Sequence, residues 1–145
     1  MKSFFRTLLF GSFPSSGHIT VTDIGLLILR VGMGASMALN HGFGKLANFS
    51  QLSGSFADPM GVGTTASLGM TVFAEFFCSI LVALGIFARL AAIPLIIAMS
   101  VAAFIVLGDE PWSKKELAIV YLIPWLTIFF AGPGKLSLDY RMSRR

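Results

Sequence analysis

A chain of 145 residues is one domain's worth. Apolar residues make up 55% of it and charged residues only 12%, where a typical soluble domain carries about 25% charged. These values exclude a soluble globular protein and point to an integral membrane protein. The formal net charge of +4 lies mostly between the apolar stretches, so it reads as a topology signal rather than as a nucleic-acid surface.

In chain order, residues 1–21 form an N-terminal interfacial segment. Within it, Met1–Phe13 reads either as a short interfacial helix, with Phe4, Phe5, Leu8 and Leu9 towards lipid and Lys2 and Arg6 towards headgroups, or as a frayed tail. Arg6 and Gly11 break its apolar run, and no small-residue cleavage site follows, which argues against a signal peptide. Phe13–Gly17 (FPSSG) is a linker, and Thr20-Val-Thr-Asp23 has the spacing of a capping box that opens the first long helix.

Residues 22–135 form the transmembrane domain, with spans expected at about 22–44, 65–87, 89–108 and 115–132. A helix needs about 20 apolar residues to cross a hydrocarbon core of roughly 30 Å. Gly85–Arg89 (GIFAR) is a tight hairpin between spans two and three. Gly108–Pro111 breaks the chain before span four, and Ser113-Lys-Lys-Glu116 has capping-box spacing at its start. Trp112, Tyr121 and Trp125 are candidate aromatic anchors, with Trp125 deep enough to pack inside. Residues 136–145 form a basic tail. Four spans place Lys2, Arg6, Arg89, Lys135, Arg141, Arg144 and Arg145 on one side and Lys45, Lys114 and Lys115 on the other. The richer side is cytoplasmic by the positive-inside rule. The expected fold is an all-α membrane protein, a four-transmembrane-helix bundle with both termini cytoplasmic.

Two charges fall inside apolar stretches, Arg30 in the first and Glu75 in the second. An unpaired charge at mid-membrane costs about 3 kcal/mol or more. Span centres near Gly32 and Phe76 put both charges within roughly 3 Å of the midplane at 1.5 Å rise per residue. The expectation is that the Arg30 fork holds the Glu75 carboxylate. Gly34, Met37, His41 and Lys45 lie within about 60° of Arg30 on a regular helix, and Thr71, Cys78 and Ser79 lie near Glu75. Facing stripes of this kind would line a polar pocket that opens outward beneath the loop Phe56–Gly63 (FADPMGVG). Arg30, His41, Lys45 and Glu75 are therefore the candidate ligand-binding or proton-relay residues. Each also has an ordinary structural use: a register-fixing ion pair for Arg30 and Glu75, a loop hydrogen bond for His41, and snorkelling to headgroups for Lys45; the loop Phe56–Gly63 likewise reads as an ordinary interfacial loop. Cys78, the single cysteine, permits no internal disulfide and reads as packing. No metal-ligand spacing, nucleotide motif or nucleophile–base constellation is visible, and no catalytic residue is assigned.

LRVGMGASMALNHGFGKLANF (29–49), FADPMGVG (56–63), VFAEFFCSILVALGIFARLAAIPL (72–95) and GPGKLSLDYR (132–141) together resemble the signature segments of the DoxX family of small integral membrane proteins. The resemblance covers about 110 residues in the same order. It implies a multi-pass protein of the bacterial inner (plasma) membrane. It also implies a tie to redox chemistry, since relatives include a subunit of a thiosulfate:quinone oxidoreductase and a partner of soluble thiol and superoxide enzymes. Arg30, His41, Lys45 and Glu75 stand at that family's recurrent polar positions.

Three functions follow as expectations. The first is a redox-linked membrane subunit that holds a quinone or similar small amphipathic molecule, with no intrinsic cofactor and electrons supplied by partner oxidoreductase subunits. The second is a non-enzymatic scaffold that recruits such partners. The third, a small transporter, needs a homo-oligomer to complete it, because four spans are few and no inverted repeat is visible. The lipid bilayer is a partner in each, and nucleic acid in none.

Overall fold

The computed structural model describes residues 18–144. The interfacial helix or frayed tail expected over Met1–Phe13 and the linker at Phe13–Gly17 lie outside them. Among the described residues the chain is all helical, with no strand. The long helices are α1 (Val21–Ala47), α3 (Thr64–Leu84), α4 (Ala88–Val106) and α5 (Trp112–Ala131); short ones are α2 (Phe49–Leu52) and α6 (Leu138–Ser143). Helices α1, α3 and α4 are long and apolar enough to cross a membrane. Helix α5 has 20 residues but carries Lys114, Lys115 and Glu116 near its start.

Local chemistry explains where the helices begin. The Thr20–Asp23 capping box forms at α1: Asp23 Oδ2 accepts from the Thr20 amide (2.8 Å) and hydroxyl (2.6 Å), and Thr20 Oγ1 accepts from the Asp23 amide (3.3 Å). The box expected at Ser113–Glu116 does not form. Helix α5 opens earlier, at Trp112, with Pro111 in the cap position and no side-chain cap. Proline lacks an N–H and holds φ at −61°, so it launches the helix before Ser113 can act as a cap.

Each of the three apolar helices contains one wide π-helical turn: Ala38–Gly42 in α1, Phe73–Cys78 in α3 and Ala102–Val106 in α4. Such turns cluster at functional sites and rephase the side chains on either side of them. The α1 and α3 π turns pack on each other. Approach there is close, since a Cβ on Gly42 would lie 2.6 Å from the Glu75 carbonyl oxygen and one on Gly34 would lie 2.6 Å from that of Ser79. These contacts fix the antiparallel register of α1 against α3. The apolar core runs through α4 and α5, with Leu95, Trp125 and Ile128 fully buried alongside Val82 of α3.

The segment after α5 folds back and ties one end of the bundle. Asp139 accepts from the amides of Phe87 (2.8 Å) and Ala88 (2.9 Å), capping α4 from a distant part of the chain. Phe87 is the one non-glycine residue with positive φ among those described (+45°), and the Asp139 carboxylate holds it there. Asp23 Oδ1 accepts from the Lys135 amide (2.8 Å), and Lys135 Nζ donates to the His18 carbonyl (2.8 Å). Gly85 turns the α3–α4 hairpin at φ +70°, with Arg30 and Ser137 so close that no side chain fits.

Candidate functional site

The opposite end of the bundle holds a pocket of about 470 Å³. Its walls come from α3 and α4, and its roof from the loop before α3. Phe73, Ala74, Ile97 and Ala98 line it, with Phe56, Ala57, Pro59 and Met60 above. The roof is tied down. Asp58 accepts from the amides of Val62 (3.0 Å) and Gly63 (2.7 Å), and the Ser67 hydroxyl donates to the Ala57 carbonyl (2.7 Å).

One ion pair sits in the pocket wall, where Lys45 Nζ donates to Glu75 Oε2. Glu75 is on the π turn of α3, and Lys45 is one turn beyond the π turn of α1. The Glu75 side chain is only 7% exposed and that of Lys45 25%, so the carboxylate is held in a dry wall while the ammonium reaches the open side. The polar pocket expected beneath residues 56–63 is thus a mainly apolar one with a single charged pair.

The partner of Glu75 is Lys45, and the expected Arg30–Glu75 pair does not form. Arg30 donates instead to the carbonyls of Ala83 (2.7 Å) and Leu136 and faces Asp139. The reason is axial register. Gly42, not Arg30, lies opposite Glu75, which places the two charges roughly 18 Å apart along the axis at 1.5 Å per residue. Helix α1 continues to Ala47, beyond the expected end of span one near Gly44. Its midpoint therefore sits higher than Gly32, and Arg30 falls level with the α3–α4 hairpin. Burial pushes the Asp139 carboxyl above its ordinary range, opposed by the two amide donors and by Arg30.

His41 does not line the pocket. It meets the Tyr121 ring edge-on at 5.3 Å, and the Tyr121 hydroxyl shares a 2.7 Å hydrogen bond with Ser36. Four residues separate His41 from Lys45, which on a regular helix would share a face; beside the π turn they reach different neighbours. The structure thus joins Lys45 and Glu75, sends His41 to the α1–α5 seam, and sends Arg30 to the far end.

Sequence reasoning did not assign Asp139 or Ser137, and it read Asp23 as a cap of α1 without its second bond, to the Lys135 amide. Ser137-Leu-Asp-Tyr140 carries the N-cap signal that could have marked α6, since the Ser137 hydroxyl accepts from the Tyr140 amide (3.2 Å). Nothing local reports that Asp139 caps α4 across the fold.

The profile of the DoxX family matches residues 25–108, more than half of the chain. The chain belongs to the DoxX family. The matched residues include both members of the Lys45–Glu75 pair and Arg30, while GPGKLSLDYR at 132–141 lies beyond them. No curated protein and no solved structure matches the chain. With its apolar helices, this DoxX protein is a multi-pass membrane protein.

Proposed function

We propose that this DoxX protein is a redox-linked membrane subunit whose pocket holds a quinone or similar small amphipathic molecule. The observation that carries the reading is an apolar cavity with a single charged pair in its wall. Ligand pockets for such molecules are largely hydrophobic, with a few polar groups that fix orientation. An ammonium has three N–H donors, and Lys45 uses one on Glu75. A ring carbonyl oxygen brought against Lys45 would accept a second. Reduction of a quinone to its quinol takes two electrons and two protons. The Lys45–Glu75 pair is suited to hold and pass a proton at that oxygen, and partner oxidoreductase subunits would supply the electrons.

The same proposal includes four spans, with α5 as the fourth and both chain ends in the cytoplasm of a bacterial inner membrane. Twenty residues of α5 cover roughly 30 Å, and Lys114, Lys115 and Glu116 then sit at its outer interface. Arg89, Lys135, Arg141 and Arg144 gather at the clasped end, in accord with the positive-inside rule.

Quinone titration of the purified protein in nanodiscs tests the binding reading. Saturable binding that is lost in the double variant Lys45→Met/Glu75→Gln is expected, and an unsaturable response in the wild type would overturn it. A non-enzymatic scaffold predicts a different outcome: partner recruitment survives the double variant and no quinone binds.

A further inference from the structure

On the reading that this pocket binds an amphipathic molecule, we infer that the ligand is drawn sideways from the bilayer, between α3 and α4. Its hydrogen-bond-accepting head rests on Lys45 and its hydrocarbon tail stays in the groove between Phe73 and Ile97.

Three observations carry this. The first is the mouth. Met70 (46% exposed), Phe73 (53%), Ile97 (52%) and Val106 (45%) both line the pocket and face outward. Phe73 and Ile97 lie near the middle of two helices apolar enough to cross a membrane, so the opening they frame faces hydrocarbon. The second is the roof. The loop over the pocket is fastened by Asp58 to its own amides and by Ser67 to Ala57, which covers the cavity on the side away from the spans.

The third is the supply of polar groups. The Ser67 hydroxyl is engaged by Ala57, and that of Thr71 donates to the Ser67 carbonyl at 2.9 Å. The Glu75 carboxylate faces Lys45. What remains for a ligand is donor capacity on one ammonium and acceptor capacity on the carboxylate beside it, both at a single point of the wall. A sugar or a peptide presents many donors and acceptors, and leaving them unpaired in a dry pocket is costly. A molecule with one accepting head and an otherwise apolar body meets the wall as it stands. A quinone carbonyl and a fatty carboxylate share that chemistry, and both travel in the bilayer.

The experiment compares tailed and tail-less probes on the full chain in phosphatidylcholine nanodiscs. The probes are a decyl-substituted benzoquinone, the same ring without its tail, decanoate and acetate. At least one tailed probe is expected to bind saturably, ten or more times tighter than its tail-less counterpart. Ala98→Trp, which fills the pocket beside the mouth, is expected to abolish that binding. If this variant fails to fold, the tail comparison on the wild type still decides. Preference for the quinone over decanoate, or the reverse, names the head. Equal binding of tailed and tail-less probes overturns sideways loading while leaving the pocket reading intact. No binding by any probe removes both.

Discussion

Replacing Lys45 by methionine leaves the Glu75 carboxylate without its ammonium in a wall where it is only 7% exposed. Removing one partner of a buried ion pair costs about 3–5 kcal/mol, because the remaining charge stays desolvated. The cost expected for Lys45→Met is about 3 kcal/mol, at the lower end because Lys45 is itself 25% exposed. That corresponds to roughly 150-fold in the unfolding equilibrium at 1.4 kcal/mol per tenfold. Glu75→Gln should cost less, about 1 kcal/mol, since the freed Lys45 can extend towards the interface. The double variant Lys45→Met/Glu75→Gln buries no charge and should also lie within about 1 kcal/mol of wild type. The coupling energy of the cycle is then about 3 kcal/mol in magnitude. Reversible unfolding in mixed detergent micelles, read by tryptophan fluorescence, measures all four proteins. Two results would refute the reasoning: Lys45→Met as stable as wild type, or a double variant as unstable as Lys45→Met.

Arg30 and Glu75 should not couple. A cycle of Arg30→Met and Glu75→Gln is expected to be additive within about 0.5 kcal/mol, although each side chain is buried; the same unfolding assay checks it. Asp139→Ala leaves the amides of Phe87 and Ala88 unpaired and should cost about 3 kcal/mol, against about 1 kcal/mol for Asp139→Asn, which keeps one acceptor. Thermal melts in detergent would separate the two. Gly42→Ala forces a methyl onto the Glu75 backbone and should lose about 1–3 kcal/mol. By contrast Gly44→Ala, with open space around it, should gain up to about 1 kcal/mol. A melt of the pair gives opposite signs if the helix contact is as described.

Much of the membrane architecture was legible because it rests on composition and on local chemistry. Apolar runs of spanning length mark α1, α3 and α4, Thr20 and Asp23 announce the start of α1, and the depth of Trp125 shows in the apolar residues around it. The loop Phe56–Gly63 was legible as a candidate cover because its turn residues stand between apolar side chains. The partners of the charges were not legible in the same way. Pairing Arg30 with Glu75 assumed that span midpoints align, whereas register is set by where glycines allow backbones to touch, at Gly34 and Gly42. The π turns carry no signature in the sequence, yet one of them separates the neighbours of His41 from those of Lys45. The two terminal nitrogens of Arg30 donate to backbone carbonyls, at Ala83 and Leu136, and carbonyls are present at every position, so no residue type advertises them.

The most direct test of the pocket is photo-crosslinking in native membranes with a decyl-tailed benzoquinone that carries a diazirine on its tail, followed by mapping of the modified residues. The account predicts labelling at Met70, Phe73, Ile97 and Val106 that excess unlabelled quinone suppresses. Suppressible labelling at the α1–α5 seam around His41 and Tyr121 instead, or labelling that excess quinone leaves unchanged, would contradict it.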